Sequence, residues 1–211
     1  MGKIFIVFIA LSIVGCVQKA IPIKSQVSEN IILFIKQTVL PVAFEYSSAV
    51  IDGSITPYDK EKKPMTGHPG YLHSENIVFS KMVNDYIKMK FSDIDSKAPD
   101  KIKINLSDFW LEFTYPHSGG YMTLAVLGGG EVTTIITAHI EIKTEILKDG
   151  KIYKKTFPIS ADDSHIQGYG TGTRTSYVHQ GYESQEYKIA SAINSANNKA
   201  IILLNQFIDS L

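Results

Sequence analysis

The alternation of apolar and polar residues before Asp149-Gly150 constrains the fold of this chain more than any other feature. The apolar members are Ile136, Ala138, Ile140, Ile142 and Ile146, and the polar members include Thr137, His139, Glu141, Lys143 and Glu145. Asp-Gly is a favoured type I′ turn between antiparallel strands. Closing a hairpin there pairs Ile146 with Tyr153, Ile142 with Phe157, Ile140 with Ile159 and, on the other face, Glu145 with Lys154. Since the turn and the alternation give one register, we predict an antiparallel hairpin.

The segment before the hairpin, residues 101–115, is extended but changes its alternation part-way. The residues of one parity are Ile102, Ile104 and Leu106, and those of the other are Phe109, Leu111, Phe113 and Tyr115. A strand keeps one face toward the core across such a change only if it contains an extra residue. We therefore predict a β-bulge near Ser107-Asp108, the alternative being a strand covered on both faces.

The rest of the pattern predicts a strand and two helices around this meander. Residues 39–48 are predicted to form a first strand, and residues 52–71 a loop rich in Gly, Pro and charge. Ser74 and Glu75 begin a helix, as an N-cap and a favourable charge at its positive end. Its apolar stripe is Phe79, Met82, Val83, Tyr86 and Ile87.

Residues 184–211 are predicted to form a closing helix. Its apolar stripe is Ile189, Ile193, Ala196, Ala200, Leu203, Phe207 and Leu211. Residues 194–198 are poor helix formers, which predicts fraying or a break there. Together these elements predict a single α+β domain for residues 31–211. It consists of a strand, a helix, a three-stranded antiparallel meander and a C-terminal helix, with the helices on one face of an antiparallel sheet.

The first residues have the pattern of an export signal. Lys3 is followed by an apolar run, residues 4–15, that ends in a small residue. The run is too short to span a bilayer, which needs about 20 apolar residues. We therefore predict that residues 1–15 are a signal peptide.

The sequence Ile13-Val14-Gly15-Cys16 resembles the lipobox of bacterial lipoproteins. The resemblance implies cleavage before Cys16, a diacylglycerol on its sulfur and a further acyl chain on the new N-terminus. Two or more chains anchor a protein stably, whereas one holds it only marginally. The alternative is a cleaved signal of a soluble exported protein with an incidental cysteine.

The resemblance also implies a location. Residues 16–30 would be the lipidated cysteine and a tether to the domain. Val17, rather than Asp, follows the cysteine, which implies sorting to the periplasm-facing leaflet of the outer membrane. A host with one membrane would instead hold the protein on the outer face of its plasma membrane.

Composition and motifs exclude several functions. Cys16 is the only cysteine, so the mature chain has no internal disulfide and no Cys-based zinc cluster. Loss of Lys3 with the signal changes the formal net charge from zero to −1, which gives no field favouring nucleic acid. The histidines lack His-x-x-x-His spacing, and no Gly-x-Ser-x-Gly occurs. We predict no catalytic residue, metal or cofactor, and we do not expect an enzyme.

Two segments have two interpretations each. Residues 160–184, rich in glycine and aromatic residues, are either a loop that meets a ligand or partner or a flexible connection. Within them Asp162, Asp163 and His165 are interpreted as a solvated acidic turn, with a cation site as the alternative. Residues 121–130 are either an exposed partner-binding flap or, as we favour, an extension of the neighbouring strands.

Two side chains on the polar face of the meander, Trp110 and His139, are considered individually. Trp110, opposite in parity to Phe109 and Leu111, either covers the second sheet face or anchors an interface. His139 lies on the polar face of its strand and is expected to be simply exposed.

The layout of the latter part of the chain resembles small periplasm-facing lipoproteins, notably the YajG-like family and the auxiliary lipoproteins of ABC-type envelope lipid transporters. The resemblance is carried by the helix at residues 79–87, the run 102–115, the strand 137–142 and the helix at 189–194. It implies a noncatalytic envelope accessory module, held to the membrane by its lipid, that binds another envelope protein. The alternative is an auxiliary subunit of an ABC-type lipid transporter, which predicts a hydrophobic groove.

Overall fold

The structure, a computed structural model, describes residues 19–23, 26–66, 68, 70–116, 130–169 and 184–211. Its strands are β1 (Lys19–Ala20), β2 (Ala43–Ser48), β3 (Gly53–Ile55), β4 (Tyr71–His73), β5 (Lys101–Thr114), β6 (Gly130–Lys148) and β7 (Lys151–Tyr169). Its helices are α1 (Glu29–Ile32), α2 (Glu75–Lys90) and α3 (Gln185–Asp209). Cys16, residues 121–129 and residues 170–183 lie outside the described residues.

A mixed four-stranded sheet in the order β2-β5-β6-β7 is the centre of the fold. β5, β6 and β7 form the predicted antiparallel meander. β2 instead pairs in parallel with β5. The reason is that α2 lies between the two strands in the sequence and carries the chain back to the end of the sheet where β2 began. The α+β class is confirmed, and the sheet is mixed rather than wholly antiparallel.

The structure confirms the hairpin and the bulge. The pairs Ile146–Tyr153, Glu145–Lys154, Ile142–Phe157 and Ile140–Ile159 are all present. Asp149 and Gly150 have φ values of 51° and 73°, as a type I′ turn requires. The β5–β6 register shifts between Leu106 and Asp108. This shift keeps the apolar residues on either side of the bulge on one face of the sheet.

The helices pack on one face of the sheet, with the core between the two layers. The ring centroids of Phe207 and Phe157 are 5.8 Å apart, and Lys199 Nζ donates to the Ser160 carbonyl at 3.2 Å. The later residue of α3 thus meets the earlier residue of β7, so α3 runs antiparallel to β7. The inward residues of β6 and the α3 stripe from Ile189 to Ala200 are buried. Burying one aliphatic side chain contributes about 1.5–3 kcal/mol to the free energy of folding. The buried rows of β6 and α3 therefore hold the helix against the sheet.

Residues 160–169, predicted as the beginning of a loop, belong to β7. They continue the ladder with β6 as far as Tyr169 opposite Gly130. Strand propensity depends on neighbours, and the facing part of β6 is rich in β-branched residues, which overrides the polar composition of residues 160–169. Asp162 and Asp163 are therefore on opposite faces of a strand rather than in a turn.

The helix termini differ from the sequence prediction. Ser74 lies at the N-cap of α2, but its side chain makes no capping hydrogen bond. The backbone N–H of Asn76 instead donates to Asp52 Oδ1 at 2.9 Å, so a residue between β2 and β3 caps the helix. Glu75 is buried rather than facing solvent. α3 is continuous through residues 194–198, with no break.

The described part of the N-terminal segment packs on the domain. β1 and β3 flank β4 in a small second sheet. The buried apolar side chains of this segment include Ile21, Val27 and Ile31. Ser28 N donates to Asn198 Oδ1 in the middle of α3 at 2.9 Å. The division into signal, tether and domain stays a prediction.

Candidate functional site

The outer face of the sheet, opposite α2 and α3, carries an aromatic and charged cluster. We call it the outer-face cluster, and its members are Tyr58, Lys62, Asp108, Trp110, Glu112 and His139. The bulge in β5 decides its position, because it turns Leu111 toward the core and its neighbour Trp110 outward. Trp110 then lies directly opposite His139 of β6.

The Trp110 and His139 side chains form a cross-strand stack. Their ring centroids are 3.9 Å apart and their planes differ by 5°. His139 Nε2 lies 2.9 Å from Glu112 Oε2, and Thr114 Oγ1 donates to the other Glu112 oxygen at 2.9 Å. Aromatic pairs contribute about 0.5–1.5 kcal/mol beyond area burial. The imidazole is therefore held flat on the indole by the carboxylate, rather than being simply exposed.

The loop between β3 and β4 completes the cluster. Tyr58 forms a parallel bridge with Glu112, which extends the sheet beyond the end of β2. The Tyr58 ring meets Trp110 edge-on, with centroids 6.0 Å apart and planes at 86°. Lys62 Nζ lies 2.6 Å from Asp108 Oδ2 and 5.2 Å from the Trp110 ring centroid. Trp110 is thus positioned from two chain segments that are far apart in sequence.

The outer-face cluster offers a flat, half-buried aromatic surface with charged groups around it. Tryptophan and tyrosine are the residues that most often dominate the free energy of protein contacts. Charged groups at the rim contribute more to specificity and association rate than to affinity. The arrangement is therefore suited to contact with another protein.

A second histidine–glutamate pair is buried. His73 ends β4 and Glu75 begins α2; His73 Nε2 lies 2.5 Å from Glu75 Oε2, and the two side chains are 2% and 1% exposed. Burial raises the pKa of Glu75, and the hydrogen bond with His73 opposes this rise. Asn197 of α3 lies on the other side of Glu75 and also opposes the rise in its pKa. The pair thus joins the end of β4 to the beginning of α2 inside the fold.

Asp162 and Asp163, the carboxylates of the alternative cation site, do not converge on one point. Asp162 is exposed, whereas Asp163 points toward α3, where its Oδ1 lies 3.6 Å from Lys188 Nζ. Across the described ranges, no group of three or more His, Cys, Asp or Glu side chains is arranged to hold a metal ion. Among the helices of those same ranges, none has the length and hydropathy needed to cross a bilayer.

A pocket of about 200 Å³ lies at the end of the sheet near the Asp149-Gly150 turn. Its lining is mixed: Leu40, Phe91, Ile102, Ile146 and Leu211 are apolar, and Asp100, Lys148 and Asp209 are charged. Small-molecule sites usually have volumes of about 300–1,000 Å³. The pocket therefore fits one side chain or the end of an acyl chain rather than a whole lipid.

No protein-family model matches this chain, and no curated protein matches it. A Xanthomonas campestris protein of the family DUF330 is similar in structure, at 15% identity and a TM-score of 0.46 over 90% of this chain and 97% of that one. An uncharacterized protein is 6% identical, with a TM-score of 0.44 over 90% and 99% of the two chains. Rare lipoprotein B from Shewanella oneidensis is 12% identical, with a TM-score of 0.39 over 81% and 94%.

The structures similar to this chain thus include that of a bacterial lipoprotein, at the level of the fold. Scores this low carry no argument about the lipid anchor, the partner or the activity.

Sequence reasoning identified only part of the outer-face cluster. Trp110 was singled out by its parity, with contact as one of its two interpretations. Tyr58 and Lys62 were missed, because nothing in a loop rich in Gly, Pro and charge indicates which strand edge it joins. The available signal was the shared parity of Asp108, Trp110 and Glu112, which puts all three on one face of β5.

Proposed function

We propose that this chain is a noncatalytic, lipid-anchored envelope protein that binds another envelope protein through the outer-face cluster. The observation that carries the proposal is the position of Trp110: it is the only tryptophan of the chain and lies half-exposed on the sheet face opposite the helices. A tryptophan that served only to fill the core would be expected on the other face, where α3 packs.

The composition of the surrounding face supports protein contact over a bilayer or nucleic acid. From the cluster toward the Asp149-Gly150 turn, the outer face alternates in sign: Lys101 pairs with Glu45, and Glu145 lies between Lys103 and Lys154. Nucleic acid and anionic lipid favour a surface of positive charge. A mixed face with an aromatic centre is typical of a protein interface.

The test is capture of partners from intact membranes by the lipidated protein and by Trp110→Ala. We expect the variant to lose its partner, because truncating an anchor of this kind weakens binding about thirtyfold or more. Lys143→Ala is the matched control, since Lys143 lies exposed on the same face in an ion pair with Glu141. Equal capture by wild type and Trp110→Ala would contradict the proposal.

The anchor is tested separately at Cys16. A serine hydroxyl cannot take the thioether-linked lipid, so we expect Cys16→Ser to be released from membranes or to stay unprocessed. Fractionation with immunodetection of the two forms measures this. A Cys16→Ser protein that was processed and membrane-bound as before would contradict lipid anchoring.

The alternative, an auxiliary subunit of an ABC-type lipid transporter, is supported by the partly apolar pocket at the turn end of the sheet. Its volume limits it to part of one chain of a lipid. Mass spectrometry of protein purified from membranes tests this alternative. Co-purified lipid together with transporter subunits would favour it, and the absence of both would count against it.

A further inference from the structure

The longest run of exposed apolar side chains in the described structure lies in residues 32–40, which we call the apolar segment. Its exposed members are Ile32 (42%), Leu33 (82%), Phe34 (75%), Val39 (83%) and Leu40 (61%). Single exposed aliphatic residues are common on protein surfaces, but a contiguous group marks a contact with a partner or a membrane. The proposed function does not account for this group, since the outer-face cluster lies on the other side of the sheet.

The segment is fastened to the helix layer. Ser28 N bonds to Asn198 in the middle of α3, and Thr38 N donates to the Lys90 carbonyl at the end of α2 at 2.6 Å. Both helices cover the face of the sheet opposite the outer-face cluster. The apolar segment therefore begins on the helix side of the molecule and ends at the edge of the sheet near the Asp149-Gly150 turn, where Leu40 lines the pocket.

The chain reaches the segment from the proposed anchor along the same layer. Lys19 Nζ lies 2.6 Å from Glu186 Oε1 at the beginning of α3. Lys90 forms an ion pair with Asp209 at the end of α3. Lys19 thus contacts the beginning of α3, Ser28 its middle and Thr38 the residue of α2 that pairs with its end. Cys16 is three residues before Lys19, at most about 10 Å of extended chain.

The charge of the segment complements a bilayer surface. From Ile31 to Val42, Lys36 is the only charged residue, and it is exposed. Apolar side chains beside a cation are the composition of segments that lie in the headgroup region of membranes. Each lysine near an anionic surface adds to the attraction.

From these observations we infer that residues 32–40 are a membrane-contacting surface that binds phospholipid headgroups and upper acyl chains. The helix side then lies on the bilayer and the outer-face cluster faces away from it. The inference rests on the proposed anchor for its setting, but it is tested without the lipid.

The test uses a chain of residues 17–211, which keeps every described residue and has no cysteine. Binding is measured by flotation with vesicles of phosphatidylethanolamine and phosphatidylglycerol. We expect the double variant Leu33→Ser, Phe34→Ser to lose about tenfold or more in binding, because two large side chains leave the lipid. Lys36→Gln should lose about fivefold on these vesicles and little on neutral phosphatidylcholine.

Ile152→Ser is the matched control, since Ile152 is 62% exposed but lies on the outer face. We expect it to bind like the parent chain. Absence of binding by the parent chain, or equal binding by the double variant, would overturn the inference. So would a dimer that Leu33→Ser, Phe34→Ser dissociates while vesicle binding is unchanged, since a second copy would then be the occupant.

Fluorescence quenching by brominated acyl chains tests the orientation. Trp110 is the only native tryptophan, and we expect it to be quenched little. Phe34→Trp combined with Trp110→Phe should be quenched strongly. Quenching of native Trp110 to the same extent would overturn the orientation, whatever the result of the partner-capture experiment.

Discussion

Two histidine–glutamate pairs in this protein have the same chemistry and different surroundings. His73 and Glu75 are 2% and 1% exposed, whereas His139 and Glu112 are 26% and 18% exposed, with the imidazole stacked on Trp110. The first pair joins β4 to α2 inside the fold. The second holds an aromatic side chain in place on the outer face. Burial, not residue identity, decides whether such a pair supports the core or shapes a surface.

The largest expected effect is on the buried pair. His73→Ala leaves Glu75 without its partner inside the core, and we expect a loss of about 3–5 kcal/mol in the free energy of unfolding. Urea unfolding followed by Trp110 fluorescence measures this. His139→Tyr, which keeps an aromatic ring on Trp110, is the surface control. Similar losses for the two histidine variants would break the comparison.

The buried pair should also give the protein a pH dependence. The pKa of Glu75 is raised above its ordinary value of 4.5 by burial. A carboxyl with a raised pKa binds its proton more tightly in the folded state, so its stabilisation is complete below the unfolded pKa and is lost as pH rises through the folded pKa. We therefore expect Glu75→Gln to gain stability relative to wild type as pH rises from 4.5.

Glu145 supplies a control of opposite sign. Its side chain lies on the outer face, and its hydrogen bond with Lys154 lowers its pKa. Its contribution is therefore present above the unfolded pKa and lost as pH falls, so Glu145→Gln should lose stability relative to wild type as pH rises. Unfolding at a series of pH values measures both slopes. Slopes of the same sign for the two variants would contradict the assignment.

The smallest expected effect is the coupling within the outer pair. A double-mutant cycle of Glu112→Ala and His139→Ala should give about 0.2–1 kcal/mol, the range for partly solvated ion pairs. Chemical unfolding of the four proteins gives the coupling free energy. A coupling as large as the loss in His73→Ala would show that exposure does not separate the two pairs.

The hairpin register and the bulge could be predicted because the information is local. Asp149-Gly150 sets the turn, and the alternation on both sides independently requires the same pairing. The parity change at Ser107-Asp108 likewise requires an extra residue whatever the partner strand is. Each of these features is determined within a few residues, and the structure has both.

What could not be predicted depends on contacts between distant segments. Ser74 has the sequence position of an N-cap, but its side chain does not cap the helix. Asp52 does so instead, because the loop before β3 lies against the helix terminus. Glu75 was interpreted as a favourable charge at the positive end of α2, and nothing in its sequence neighbours indicates that the fold buries it. The bridge between Tyr58 and Glu112 of β5 likewise depends on residues far apart in the sequence. The outer-face cluster was therefore only half predictable.

One hydrogen bond has a consequence for how the chain is made. Ser28 N bonds to Asn198, 170 positions further along the chain. A ribosome delivers the first of these residues long before the second, and contacts of such separation form slowly. The beginning of the domain must therefore wait, extended and with Val27 and Ile31 uncovered, until almost the whole chain has emerged. During that interval a chaperone meets an open polypeptide rather than a closed domain.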